Sequence, residues 1–255
     1  MYRLLRLAAH LGAGIATTTL VFPLLAPPRR KALIRRWSAR LLAILRVEPR
    51  ISGWPPGGLP HNLLIVANHV SWLDIFVLDA VQPARFVGKS ELRRWPLAGR
   101  LIADCGTLFI ERGRRRDAHR INEQARAALA AGDVIAVFPE GTTTDGTALL
   151  PFHGSLLQPV IDAQGHVQPV AIRYRGSDGA HKDAPAYVGE TSFLESLWRI
   201  LGERSMIVCV DLAPPLAARA RHRRDLARDA EAAIRQALAP AAISQAPGTR
   251  DDRRA

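Results

Sequence analysis

Cys105 and Cys209 are the only cysteines in the 255-residue chain, and their spacing matches no metal site. Two cysteines make no disulfide framework, and a reducing compartment is expected. Cys209 lies in the apolar run MIVCVDL, so burial in a strand is its expected state. Aromatic residues are only 6% of the chain, and no basic cluster alternates with them as a base-stacking surface requires. There is no zinc-ligand set, no recognisable nucleic-acid-binding motif and no internal repeat. Positive charge, by contrast, is in excess: 35 Lys+Arg against 23 Asp+Glu, a net +12. Such a surface attracts polyanions. With the nucleic-acid signals missing, an anionic membrane surface or an acidic metabolite ranks first, and no nucleic-acid partner is expected.

No charge interrupts the segment from Leu7 to Ala26. At ~1.5 Å per residue it just spans a ~30 Å hydrocarbon core. His10, Gly12, Gly14, three threonines and Pro23 make it only moderately apolar. It lacks a clear small-residue cleavage site, which disfavours a removed signal peptide. Arg29, Arg30, Lys31, Arg35, Arg36 and Arg40 follow it, against Arg3 and Arg6 before it. If the segment spans, this asymmetry puts the remainder on the cytoplasmic face of the cell membrane. Residues 31–47 read as a basic amphipathic helix, with Leu33, Ile34, Trp37, Leu41, Leu42 and Leu45 as its stripe. The stripe suits either anionic lipid or the protein's own core; beside an apolar N-terminus, the membrane is favoured.

Residues 1–50 are therefore expected to be membrane-associating helices. EPRISGWPPGGLP then breaks the pattern with Pro and Gly, so the main domain (51–240) should begin its regular structure near His61. Short apolar, mostly β-branched runs follow at 62–67, 85–88, 107–111, 133–138, 167–174 and 206–212. Continuous rather than alternating hydrophobicity implies strands covered on both faces. Helical patterns lie between them, clearest at 117–132. The fold class is α/β, a mostly parallel sheet flanked by helices. Residues 241–255 read as a disordered tail.

Several stretches carry possible chemistry. In NHVSWLD, His69 and Asp74 are five positions apart. On a continuous helix, ~100° per residue would leave them ~140° apart and unable to meet. A strand ending at Ala67, a turn, and a helix opening near Ser71 would let Asp74 face back to His69. That edge is where ligand sites of open α/β sheets lie. The same stretch fits a capping box with Ser71 as N-cap and Asp74 at N3, and both readings stay open here. In CGTLFIERGRRR, strand TLFIE delivers Arg112 to a loop where its guanidinium suits a phosphate. In VFPEGTTTDG, Glu140, Gly141 and Thr142 form a tight turn whose Gly permits close backbone approach and whose N–H groups suit an oxyanion. There Glu140 suits a substrate hydroxyl or an arginine, or is a surface residue of an ordinary turn. Lys89 and Glu91 follow another strand end. Pro169 starts or edges a strand, with Val170 and Ile172 in the core.

Together these segments resemble the glycerolipid acyltransferase family, which includes the 1-acyl-glycerol-3-phosphate acyltransferases. An N-H-x4-D block matches Asn68, His69 and Asp74. G-x-x-F-I-x-R matches Gly106, Phe109, Ile110 and Arg112. F-P-E-G-T-R-S matches Phe138 to Thr142, and V-x-P-V-A-I matches Val167 to Ile172. Four blocks in order, within about residues 61–212, form a specific signal. The resemblance implies a glycerol-3-phosphate acyltransferase-like fold and transfer of an acyl group from acyl-CoA or acyl-carrier protein to a lysolipid hydroxyl, with no cofactor or metal. It implies His69 as base and Asp74 as its orienter. It also implies acceptor binding by Arg112, Lys89, Glu140, Gly141 and Thr142. Thr143 stands where the third block usually has Arg. Lysophosphatidic acid is the first acceptor expected, with another lysolipid, such as lyso-ornithine lipid, as the alternative. A non-catalytic membrane lipid-binding protein of the same fold is a further alternative, against which the intact His69–Asp74 pair argues.

Overall fold

Residues 2–53, 58–94, 98–111 and 115–239 are described in the computed structural model. Their apolar runs become the strands β1 (Val47–Ser52), β2 (Leu63–Ala67), β3 (Arg85–Lys89), β4 (Leu108–Ile110), β5 (Ile135–Val137), β6 (His166–Arg175), β7 (Met206–Leu212) and β8 (Leu216–Ala217). The helices are α1 (Tyr2–Ala16), α2 (Pro27–Leu45), α3 (Leu73–Val81), α4 (Ala98–Asp104), α5 (Arg115–Ala130), α6 (Gln158–Asp162), α7 (Phe193–Gly202) and α8 (Arg223–Leu238). The sheet runs β1-β7-β6-β2-β5-β3-β4, with β8 beside β6. Among the described strands only the β6–β7 and β6–β8 pairings are antiparallel. Because β2, β3, β4 and β5 point the same way, the residues that follow them emerge on one edge.

Helices cover both faces, as continuous apolar strands require. Leu63, Ile65 and Ala67 of β2 pack with α2 and α3 residues such as Leu42, Leu45, Leu73 and Val77. Leu64 and Val66, pointing the other way, pack with Ile121 and Leu129 of α5 and Leu226 and Ile234 of α8.

Four sequence expectations are corrected. First, regular structure in the sheet begins at Val47, not near His61: β1 pairs in parallel with β7. Second, the stripe of the basic helix is used by the protein itself. Leu41, Leu42 and Leu45 of α2 are buried in the core, and Trp37 packs at its margin. Third, Cys209 is half-buried, because the burial of β7 alternates along the strand. Fourth, Pro169 lies inside β6. It is tolerated there because β6 changes partner at that point, from β8 at Val167 to β7 at Val170. The expected tail, 241–255, lies outside the described residues.

The first helix continues through a π turn (Thr17–Val21) and a 3₁₀ turn (Phe22–Leu24). Tyr2–Leu24 is long and apolar enough to cross a membrane, with 22% of that stretch buried. Its start is fastened to the domain. The Arg3 guanidinium donates to the carbonyls of Ile44, Leu45, Leu201 and Glu203, at the C-terminal ends of α2 and α7. Cations at helix C-termini satisfy orphan carbonyls and oppose the helix dipole. Farther along α1, His10 stacks on Trp37 of α2 at 4.6 Å, and each ring meets the other residue's carbonyl.

Asp79, buried in α3, accepts the Ala84 N–H at 3.1 Å and closes the turn into β3. Burial pushes its carboxyl up to about 7, against an ordinary 3.8. A carboxyl raised on folding favours the fold at low pH, and that contribution is lost as pH rises through about 7. Asp79→Asn keeps the acceptor and removes the buried charge. It should raise Tm by several degrees near pH 8.5, with the gain shrinking towards about pH 4.5. Thermal melts of both proteins across that range check the sign.

Candidate active site

β2 ends at Ala67, and the next residue extends its ladder with a side chain. The Asn68 amide donates to the Ile172 carbonyl at 3.0 Å and accepts the Ile172 N–H at 2.7 Å. This buried amide lets the backbone leave the sheet without orphaning β6. His69 follows on the turn, and α3 opens at Leu73. The turn brings the two ionisable groups together: His69 Nδ1 lies 2.9 Å from Asp74 Oδ2.

Asp74 is 0% exposed, while the His69 side chain is 19% exposed. Asp74 Oδ2 also accepts the backbone N–H groups of Val70 (2.7 Å) and Ser71 (2.9 Å). Its Oδ1 accepts the Tyr174 hydroxyl at 2.7 Å. Burial, with Asp74 beside it, drives the Tyr174 hydroxyl pKa well up and keeps it a donor. Three donors converging on one carboxylate leave it no proton to give. Nδ1 of His69 therefore donates to it, and in the neutral imidazole Nε2 is left with the lone pair. Among the described residues Nε2 has no hydrogen-bond partner. The capping box is met only in part: α3 has Trp72, not Ser71, at its N-cap, while Ser71 Oγ accepts the Leu73 N–H at 3.3 Å and Asp74 reaches back to the Ser71 N–H. One carboxylate starts the helix and orients the imidazole.

The turn after β5 closes on the same loop. Phe138 stacks on the His69 ring, centroids 3.9 Å apart and planes 9° from parallel. Buried Glu140 accepts the His69 N–H at 2.7 Å with Oε1 and the Leu150 N–H at 2.9 Å with Oε2. Burial raises the Glu140 pKa, opposed by these two amides. Gly141 has φ +73°, the left-handed conformation that favours glycine, and its N–H donates to the Phe138 carbonyl. That amide serves the turn. Thr142 is exposed beside it. The Thr143 hydroxyl donates to the Tyr187 carbonyl, and the Thr144 N–H to the His69 carbonyl at 2.8 Å.

Of the residues singled out in the sequence, His69, Asp74, Glu140, Gly141 and Thr142 gather on these two turns. Lys89, exposed, ends β3 on the same edge, with β5 between it and β2. Arg112 lies outside the described residues. The backbone just before it is fixed, because Glu111 N–H donates to Asp117 at 3.1 Å. No three His, Cys, Asp or Glu side chains among the described residues gather as a metal site.

Sequence reasoning missed three supports. Tyr174 follows the P-V-A-I strand by alternation, on the same face as Val170 and Ile172, and that period was the available signal. The amide role of Asn68 and the stacking of Phe138 have no such period. A further strap is Trp72, whose Nε1 donates to Ser196 Oγ of α7 at 3.0 Å while its ring meets Phe193.

Comparison with known proteins gives the following. A family model described as Acyltransferase matches residues 55–173. The lyso-ornithine lipid O-acyltransferase of Pseudomonas aeruginosa is 43% identical over 241 residues, covering 92% of this chain and 91% of its own. The 1-acyl-sn-glycerol-3-phosphate acyltransferase of Neisseria meningitidis is 37% identical over 185 residues, 72% of each chain. Among solved structures, the 1-acyl-sn-glycerophosphate acyltransferase PlsC of Thermotoga maritima has the same fold. It has a TM-score of 0.61 and 21% identity, covering 92% of this chain and 94% of that one.

Proposed function

This chain belongs to the glycerolipid acyltransferase family and transfers an acyl group to a lysolipid hydroxyl; from that premise we propose that its acceptor is lyso-ornithine lipid and that His69 is the base. His69 Nε2 takes the acceptor's hydroxyl proton as the oxygen attacks the thioester carbonyl of acyl-CoA or acyl-carrier protein. The tetrahedral intermediate collapses, the C–S bond breaks, and the thiolate leaves with the proton returned by His69. Asp74 stabilises the imidazolium between those steps, and Tyr174 and the two N–H groups hold Asp74 in place. Glu140 acts on the reaction by fixing the His69 backbone, and Gly141 by turning the chain beneath it. Thr142 and Lys89 serve the acceptor side, and the family resemblance extends that role to Arg112.

Position 143 carries the choice of acceptor. The usual arginine of the third block would offer a cation to an acceptor phosphate; here Thr143 ties its turn to Tyr187 instead. The name of the Pseudomonas relative supports the same choice over a longer match than the Neisseria one. Lysophosphatidic acid, the first acceptor expected from sequence, thus becomes second.

We place the reaction at the cytoplasmic face of the cell membrane. Tyr2, Leu5, Leu20 and Leu24 of the first helix are exposed apolar side chains, as are Leu194 and Trp198 of α7. With a net +12, these surfaces suit an anionic bilayer.

An acceptor panel tests the proposal: lyso-ornithine lipid, lysophosphatidic acid and lysophosphatidylethanolamine, each with acyl-CoA and acyl-carrier protein. Lyso-ornithine lipid should have the highest kcat/KM. A clear preference for lysophosphatidic acid would return the phosphate acceptor to first place.

A further inference from the structure

The turn after β5 opposes the charge of the chain around it. From Phe138 to Phe152 there are two carboxylates, Glu140 and Asp145, and no Lys or Arg, in a protein of net charge +12. Glu140 is buried, and each of its oxygens accepts a backbone N–H. Asp145 is exposed. Its Oδ1 accepts both the N–H (2.9 Å) and the hydroxyl (2.7 Å) of Thr147. Among the described residues its Oδ2 has no hydrogen bond or ion pair. The Thr147 bonds, and more weakly His181, hold the Asp145 carboxyl below its ordinary range, so it is an anion at neutral pH.

Its place in the fold is set from both sides. Thr144, before it, donates its N–H to the His69 carbonyl. Gly146, after it, has φ +83° and backs onto the next residue of the same loop: a Cβ there would meet Val70 Cγ2 at 3.2 Å and His181 Cε1 at 3.5 Å. Thr144 is thus bonded to the loop that carries the base, and Gly146 lies near enough to it that an added side chain would crowd Val70. A fixed anion there repels a phosphate monoester and attracts an ammonium. Ornithine in amide linkage keeps a free side-chain amine, protonated at neutral pH.

We propose that Asp145 is an acceptor-binding residue that receives the ammonium of a lysolipid headgroup and thereby selects cationic or zwitterionic acceptors over phosphate ones. This deepens the acceptor reading above and rests on it. The contact is made equally in the ground and transition states, so its loss raises KM and leaves kcat in place.

The test pairs a protein change with a change in the acceptor. KM and kcat are measured for wild type, Asp145→Asn and Asp145→Glu, with lyso-ornithine lipid and with the same lipid acetylated on its side-chain amine; wild type is also assayed with lysophosphatidic acid. Wild type should show a KM about tenfold higher for the acetylated acceptor, the scale of one lost charged contact. Asp145→Asn should have that higher KM for both acceptors, with kcat unchanged, and Asp145→Glu should recover part of the discrimination. If Asp145→Asn distinguishes the two acceptors as wild type does, the role of Asp145 is overturned while the lyso-ornithine reading stands. If wild type acylates neither of them but acylates lysophosphatidic acid, the acceptor reading fails and this proposal fails with it.

Discussion

His69→Ala should lower kcat by about 10³-fold with acyl-CoA and any accepted lysolipid, within the usual range for a positioned general base. The fold should survive the change. The His69 ring lies at the edge of the sheet, partly open, with Phe138 on one face and Asp74 at Nδ1. Removing it leaves Asp74 with the Tyr174 hydroxyl and two backbone N–H groups, so its charge remains solvated by the protein. Tm should move by only a few degrees, and KM for the acceptor should change less than kcat. Steady-state kinetics beside a thermal melt check both halves. Activity near wild type in a folded His69→Ala protein would exclude His69 as the base.

Asp74→Ala should be the more damaging substitution, because it removes structure and chemistry together. Its loss strands the N–H groups of Val70 and Ser71 and the Tyr174 hydroxyl in a region closed to water. Breaking a buried charged cluster from one side costs about 3–5 kcal/mol. At ~2–4 °C per kcal/mol for a chain of this size, Tm should fall by roughly 10 °C. Asp74→Asn separates the two roles. The amide oxygen still accepts from the turn and the Tyr174 hydroxyl can rotate to accept, so stability should fall by only about 1–2 kcal/mol. The asparagine bears no charge to stabilise the imidazolium, so kcat should still fall by about 10²-fold or more. Equal losses of stability in both variants would overturn this hydrogen-bond account of the turn, and an Asp74→Asn kcat near wild type would overturn the charge-based role.

The sheet was readable in the sequence wherever strands are buried on both faces. LLIVA and the core of DVIAVF announce themselves because every residue is apolar. β1 does not: of VEPRIS only Val47 is buried, and Glu48, Pro49 and Arg50 read as a loop. Those same residues suit a sheet edge, where charge and proline discourage pairing with another chain. The α2 stripe was visible, but periodicity cannot say whether lipid or protein covers it, and the core does. His69 and Asp74 were legible as a pair only through the geometry of a strand-to-helix turn. What Glu140 binds was not legible. A carboxylate's partners at positions 69 and 150 are decided by how β2 and β5 lie side by side. Sequence spacing holds no trace of that adjacency.

The Arg3 clasp bears on how the protein is made. Its acceptors at Leu201 and Glu203 lie 198 and 200 residues along the chain. At ribosomal speeds of ~5–20 residues per second, they are synthesised roughly 10–40 s after Arg3 itself. The clasp is thus among the last contacts that the growing chain can close. Throughout that interval Arg3 can reach only Ile44 and Leu45 of α2, and the first helix is not yet held to α7. If the first helix enters the bilayer as proposed, it meets the membrane before the catalytic domain is complete, and closing the clasp on α7 then fixes the finished domain beside it.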